Sequence, residues 1–137
     1  MMTPRQIQLV QSSWDFVLLH NKEAGVIFYS RLFEIAPELR PLFSENPKVQ
    51  AQKLVSIITF AVQKLNSIGE IVEDVKSLGR RHKKYNVKPE HYGIVAEALL
   101  WTLEKALQDK WNPEMKESWV AVYTVLSSTM ISAAQEA

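Results

Sequence analysis

The sequence contains no cysteine and only four glycines among its 137 residues. The absence of cysteine excludes disulfides, thiolate catalysis, cysteine-ligated zinc and iron–sulfur clusters. The four glycines stand alone, so there is no glycine-rich phosphate loop of the GxGxxG or GxxxxGK type, and nucleotide-dependent chemistry is disfavoured. Any bound metal must therefore be held by histidine, carboxylate, tyrosine or methionine.

The chain also lacks a charge excess and a long apolar run. Its 16 Lys and Arg residues against 15 Asp and Glu residues give a formal charge of +1, which provides no overall attraction to nucleic acid or anionic lipid. No run approaches the roughly 20 apolar residues of a membrane span, and the start lacks the basic and apolar regions of a secretion signal. We expect a cytoplasmic protein with no membrane span and no nucleic-acid partner.

Apolar residues recur at helical spacing and no window alternates with period two, so the predicted fold class is all-α. Proline fits the first turn of a helix and therefore marks helix starts. A capping side chain precedes proline at Thr3-Pro4, Asn46-Pro47 and Asn112-Pro113, and Gln6 completes a capping box with Thr3. The predicted helices are 4–20, 22–36, 47–67, 70–84, 89–109 and 113–135, with a short helical corner at 37–43, in a single domain spanning 1–137.

One histidine falls on an apolar helix face. His82 continues the row formed by Ile71, Val75 and Leu78 and so faces the interior. It is either a core histidine hydrogen-bonded to a carbonyl or an axial metal ligand. A single histidine suffices for the second role only if a porphyrin supplies the other nitrogen donors. The spacing leaves both interpretations open.

Two further polar side chains lie in apolar rows. Tyr29 lies between Gly25 and Phe33 on the inward face of the second helix, and Gln50 is in line with Leu54 on the next one. Tyr29 is either an ordinary buried tyrosine bonded to the backbone or a functional donor. Gln50 is either a solvated first-turn residue or a polar group aimed at the interior.

The other two histidines are weaker candidates for a metal ligand. His20 closes the first helix, where a cation meets the negative end of the helix dipole, and His91 is expected to point to water. A zinc site would need His82, His91 and a carboxylate to converge without a recognised spacing, and we disfavour it.

Ordered landmarks run over nearly the whole chain. They are Trp14, FYSRLF at 28–33, PELRPLF at 37–43, QAQKL at 50–54, SLGRRHKKYNVKPEHY at 77–92 and WVAVY at 119–123. Their order and spacing resemble the globin family, most closely bacterial single-domain haemoglobins and the globin part of flavohaemoglobins, with a secondary likeness to neuroglobin. The resemblance implies a globin fold of six to eight helices around a pocket for haem b, iron protoporphyrin IX.

The resemblance also implies roles for individual residues around the cofactor. His82 is the proximal iron ligand, and Val87 and Tyr92 pack against the same proximal face of the haem. Phe43 is the corner phenylalanine packed on the porphyrin, and Lys53 lies near a haem propionate. Tyr29, Gln50 and Leu54 line the opposite, distal side.

The implied function is reversible binding of O2, and of CO and NO, at five-coordinate iron, with high affinity through hydrogen bonds from Tyr29 and Gln50. An alternative is a nitric oxide dioxygenase served by a separate reductase. A third is a haem-free helical interaction module. We expect a monomer or a weak homodimer.

The sequence departs from the flavohaemoglobin pattern in two respects. It has no flavin or nicotinamide domain, so turnover would need an external reductase. Where that family has a last-helix glutamate bonded to the proximal histidine, this chain has Ala134, and Glu136 would point elsewhere. Peroxidase-like activation of oxygen is therefore disfavoured.

Overall fold

The computed structural model describes residues 2–20, 23–43, 46–84 and 87–136, so the predicted helix start at 22 and most of the predicted loop at 44–46 lie outside it. Within these ranges the chain forms α1 (Pro4–His20), α2 (Ala24–Ile35), α3 (Pro47–Gln63), α4 (Val72–Lys84), α5 (Pro89–Leu107) and α6 (Pro113–Glu136). Short 3₁₀ segments cover Pro37–Leu42, Leu65–Ile71 and Gln108–Lys110. The described residues contain no strand, and the all-α prediction is confirmed. Among the described residues, no single helix is long and apolar enough to cross a membrane. The two segments Pro47–Gln63 and Leu65–Lys83 reach that length and apolar content only when they are taken together, and the chain is bent by 106° between them.

The helix starts confirm the role predicted for proline. Four α-helices begin at a proline, and the first 3₁₀ segment begins at Pro37. Thr3 and Gln6 form the predicted capping box, with each side chain accepting the other's backbone N–H at 3.1 and 2.9 Å. The side-chain oxygens of Asn46 and Asn112 accept first-turn amides at 2.9 and 2.8 Å. These caps satisfy N–H groups that have no partner within their helix.

Several predicted helix boundaries differ from the observed ones, and for two of them the backbone shows the cause. The helix predicted for 47–67 stops at Gln63, because Lys64 leaves helical geometry at φ −98° and ψ 11° and the chain continues as a 3₁₀ segment. The helix predicted for 89–109 stops at Leu107, because Gln108 adopts a φ of 51°. Apolar spacing continues through both places, so it carries no signal for either break.

Two tryptophans tie the first helix to its neighbours. The rings of Trp14 and Trp119 meet edge to face with their centroids 5.9 Å apart. The indole N–H of Trp14 donates to Thr59 on α3 at 2.9 Å, and that of Trp119 donates to Ser13 on α1 at 3.0 Å. Both rings are thus buried without leaving a donor unpaired, and α1, α3 and α6 are held in one core.

Helix α4 lies against α6 with almost no space between the two backbones. A Cβ added at Gly79 would lie 2.3 Å from the carbonyl oxygen of Met130. One turn further along, the Lys83 Nζ donates to the carbonyl oxygen of Ala134 at 3.0 Å. The close approach therefore fixes the position of the second half of α4, which carries His82.

We predict that Gly79→Ala destabilises the fold by about 1–3 kcal/mol, because the new methyl group meets backbone rather than a movable side chain. Urea unfolding followed by circular dichroism at 222 nm measures the change. Gly93→Ala on α5 is the matched control, since a Cβ there meets nothing within 4 Å. The control should be neutral or stabilising by up to about 1 kcal/mol. Equal unfolding midpoints for the two variants would contradict the prediction.

Candidate functional site

A cavity of about 430 Å³ lies among α3, α4, α5 and α6. Its walls are mostly apolar and include Leu54, Ile57, Phe60, Val75, Leu78, Val95, Leu99, Val122 and Leu126. Ile57 and Phe60 are each 44% exposed, so the α3 wall is open to solvent. An open apolar cleft of this size suits a flat, largely apolar group with polar edges.

The cavity wall carries an imidazole whose protonation is fixed by its neighbours. The Nδ1 of His82 lies 2.8 Å from the carbonyl oxygen of Leu78, and because a carbonyl only accepts, Nδ1 carries the hydrogen. Burial lowers the pKa of His82; the Leu78 carbonyl opposes this shift, and the charge of Arg81 adds to it. The ring is therefore neutral at physiological pH, and Nε2 keeps a lone pair that can bind a metal.

Hydrogen bonds hold the residues around this imidazole. The ring of Tyr92 has its centroid 6.3 Å from that of His82, and the Tyr123 hydroxyl donates to the carbonyl oxygen of Tyr92 at 2.7 Å. The backbone N–H of Val87 donates to the carbonyl oxygen of His82 at 2.9 Å. Burial raises the pKa of Tyr123, so its hydroxyl stays protonated as a donor. Val87 and Tyr92 are thus held beside the imidazole.

Tyr29 lies in an aromatic cluster next to the cavity. Its ring centroid is 4.9 Å from that of Phe28, 6.0 Å from that of Phe33 and 5.3 Å from that of Phe43, and the residue is 8% exposed. Burial raises the pKa of Tyr29, and a hydrogen bond with the Gln50 side chain opposes the shift. The cluster therefore holds a neutral phenol with an amide beside it.

Four of the residues singled out from the sequence meet in the cavity wall. They are His82, Val87 and Tyr92 from the α4–α5 side, and Leu54 from α3. All four face the same cavity although they come from parts of the chain up to 38 residues apart.

The other four lie outside the cavity wall. Tyr29, Gln50 and Phe43 belong to the neighbouring aromatic cluster, and Phe28 is part of both the cluster and the cavity wall. Lys53 is exposed on α3, one residue before Leu54. Leu54 is therefore the one distal residue in the cavity wall, and Phe28 links the cavity to the cluster that holds the other distal residues.

The sequence did not single out two cavity residues, Arg81 and Tyr123, as members of the site. Arg81 lines the cavity beside His82, and Tyr123 lines it from α6. For Arg81 the sequence offers no indication of a role beyond its position next to His82. Tyr123 is part of the WVAVY landmark, but only the fold shows that its hydroxyl reaches Tyr92.

The other histidines have structural contacts. His91 is half-buried, and its Nδ1 accepts the backbone N–H of Lys88 at 3.0 Å, which caps the start of α5. His20 is exposed at the end of α1, with its ring centroid 4.3 Å from that of Phe16. In the part of the chain that the structure describes, no three or more His, Asp or Glu side chains are grouped so as to hold a metal ion.

Ala134 lies on α6 near the end of α4, where its carbonyl oxygen accepts the bond from Lys83. A methyl side chain cannot accept a hydrogen bond from an imidazole. The Nδ1 proton of His82 goes to the Leu78 carbonyl on its own helix, a neutral acceptor. A neutral acceptor gives the imidazole less anionic character than a carboxylate would.

Comparison with known proteins assigns the family. The family model described as Globin matches residues 26–130. The chain belongs to the globin family. Globins bind haem and diatomic gases.

Named relatives cover several branches of the globin family. The chain is 33% identical over 143 residues to an anaerobic nitrite reductase of Solanum lycopersicum, covering 93% of this chain and 92% of the relative. It is 29% identical to a neuroglobin of Tetraodon nigroviridis, and the match covers 90% of this chain and 86% of the neuroglobin. It is 28% identical to a flavohemoprotein of Bacillus subtilis, covering 96% of this chain but only 34% of that protein, so it spans about a third of its length.

Solved structures confirm the globin fold. An engineered carbene transferase made from a proposed nitric oxide dioxygenase of Rhodothermus marinus superposes with a TM-score of 0.88 at 22% identity, covering 99% of this chain and 95% of that one. A bacterial globin from Campylobacter jejuni superposes with a TM-score of 0.84 at 21% identity, and the superposition covers 98% of this chain and 97% of that globin. At these identities the likeness establishes the fold alone.

The residues in the cavity of this globin fit a haem. The walls are apolar, one side is open, and a neutral imidazole with a free Nε2 lies in the α4 wall. Arg81 is exposed at the cavity wall, where a cation can meet a propionate. Because one imidazole is too few ligands for a bare metal ion, the donor set suits a metal already held by a macrocycle.

We predict that His82→Gly abolishes retention of haem through purification and that added imidazole restores it, because the vacated side-chain volume admits the free ligand. The Soret absorbance of the purified protein, with and without imidazole, measures both effects. His20→Gly, which removes an exposed imidazole, is the matched control and should retain haem. Equal Soret intensity in the two variants would exclude His82 as the ligand.

Proposed function

We propose that this globin holds haem b through His82 and reversibly binds O2, CO and NO on the opposite side of the haem. The observation that carries the proposal is the pairing of a neutral, hydrogen-bonded imidazole in the cavity wall with a buried tyrosine and glutamine in the adjacent cluster. One group provides a metal ligand, and the other provides donors.

The proximal residues keep the imidazole in one orientation. The Leu78 carbonyl holds the Nδ1 proton, and Tyr92 limits the tilt of the ring from the α5 side. A fixed tautomer and a fixed ring plane direct Nε2 into the cavity. His82 is therefore prepared for binding before the cofactor arrives.

The distal residues supply hydrogen bonds to the gas. Ferrous haem, when bound, supplies an open coordination position at which O2 becomes a partly negative acceptor. The Tyr29 hydroxyl and the Gln50 amide are donors, and each bond to a charged acceptor contributes roughly 1.5–3 kcal/mol in a water-poor pocket. We therefore expect tight binding and slow release of O2. Gln50 is a poor iron ligand, so we expect the deoxy protein to be five-coordinate.

We predict that Tyr29→Phe raises the O2 dissociation rate about tenfold or more, since about 1.4 kcal/mol corresponds to a factor of ten. Stopped-flow displacement of O2 by CO measures the rate. Tyr92→Phe is the matched control, because it removes a hydroxyl from the proximal wall of the cavity. The CO dissociation rate should change much less in both variants, since bound CO carries little negative charge. An unchanged O2 rate in Tyr29→Phe would refute the distal role.

A second candidate function is nitric oxide dioxygenase, in which NO, O2 and one electron give nitrate. The buried Tyr29–Gln50 pair favours it, because donors that retain O2 keep it in place for NO. The resemblance to a flavohemoprotein over 96% of this chain raises the same candidate. A reductase would have to supply the electron.

We predict that the O2-bound protein converts NO to nitrate once per haem, and that added reductase and NADH sustain the conversion only if the protein is a dioxygenase. Ion chromatography of nitrate against haem concentration measures the yield. A yield that stays at one nitrate per haem would favour reversible gas binding as the function.

We further propose a cytoplasmic location and a monomer or weak homodimer.

A further inference from the structure

The positive charges of this chain are strongly segregated. Residues 75–89 carry six of the sixteen Lys and Arg residues and no Asp or Glu. The rest of the chain carries ten Lys and Arg residues against fifteen Asp and Glu residues. This stretch therefore has a formal charge of +6 and the remainder has −5. The net charge of +1 conceals a marked asymmetry.

The cationic stretch lies around the proposed iron ligand. It comprises most of α4 and the start of α5, and the bond from the Val87 N–H to the His82 carbonyl holds these two parts together at 2.9 Å. Arg80, Arg81 and Lys88 are exposed, and we call these three residues the cationic rim. Arg81 also lines the cavity. Among the described residues, Lys76 of this stretch pairs with Glu73 at 3.9 Å, and the other ion pairs found involve residues outside it.

Haem accounts for only part of this charge. Glu73 pairs with Lys76, and two propionates can neutralise two more of the six cations, which leaves three in excess. Concentrated charge of one sign on a protein surface attracts partners of the opposite sign and speeds their encounter. The rest of the chain has a net formal charge of −5 and so offers no overall attraction to a long polyanion. A compact acidic protein is therefore the best match.

We propose that the cationic rim docks an acidic electron-donor protein next to the haem edge. This inference rests on the proposed haem function, because O2 binds only to ferrous haem, and any haem oxidised to the ferric state would have to be reduced first. One electron leaves the donor's reduced flavin, which is oxidised by one electron, and the ferric iron gains it and becomes ferrous. No atom is transferred, so contact at the rim is sufficient.

The test uses the ferric holoprotein and a reduced acidic flavodoxin under CO, which traps the ferrous product. We expect the second-order reduction rate to fall about tenfold or more between low and high ionic strength, because salt screens surface attraction. Arg80→Glu/Lys88→Glu should lower the low-salt rate by a similar factor and remove most of its salt dependence. Stopped-flow absorbance at the Soret band measures the rate.

The control is Lys105→Glu/Lys116→Glu, which makes the same formal charge change at exposed sites on α5 and α6. It should change the low-salt reduction rate by less than about twofold, because these two residues lie outside the cationic rim. Calorimetry with oxidised flavodoxin provides a readout besides reduction, and only the rim variant should lose affinity. Equal losses in both double variants would overturn the proposal, as would tighter binding of heparin or phosphatidylglycerol vesicles than of flavodoxin.

Each double variant is also examined for its O2 spectrum and for its reduction by dithionite. Normal O2 binding in all proteins, with a reduction rate insensitive to the rim, would refute the docking surface while leaving the proposed function intact. Failure of the wild-type protein to bind O2 would refute the proposed function itself.

Discussion

The candidate site depends on how closely α4 lies against α6. Gly79 places the α4 backbone where any side chain would meet the Met130 carbonyl, and His82 follows three residues later. At that point the helix directs the ring into the cavity and offers the Leu78 carbonyl to its Nδ1. The position and tautomer of the imidazole thus follow from one helix–helix contact and one hydrogen bond within the helix, and burial keeps the ring neutral.

The distal half of the site depends on packing of a different kind. Tyr29 is held by aromatic rings, and its polar hydroxyl is satisfied by Gln50 rather than by the backbone. Burying a hydroxyl without a partner costs about 1–3 kcal/mol, so the tyrosine and the glutamine stabilise each other in the cluster. Phe28 packs against Tyr29 in the cluster and also lines the cavity, so the two halves of the site share this one ring.

The sequence predicts local features of this protein well and long-range features incompletely. Proline and capping residues mark the helix starts, because those interactions are made within one turn. The break after Gln63 was not predicted, since apolar spacing continues through it. The inward position of His82 followed from helical periodicity, but its exact partner required the backbone geometry. Arg81 and Tyr123 became members of the site only through tertiary contacts, which no local pattern encodes.

The charges on α4 serve helix stability and the site at the same time. Glu73 and Asp74 occupy the first turn, and Arg80 and Arg81 lie near the other end, so both signs complement the helix dipole. This arrangement offsets part of the repulsion among the clustered cations. Burial is the main cause that lowers the pKa of His82, and the charge of Arg81 adds to this effect. A charge pattern that stabilises the helix therefore also keeps the ligand deprotonated and leaves a positive surface at the mouth of the cavity.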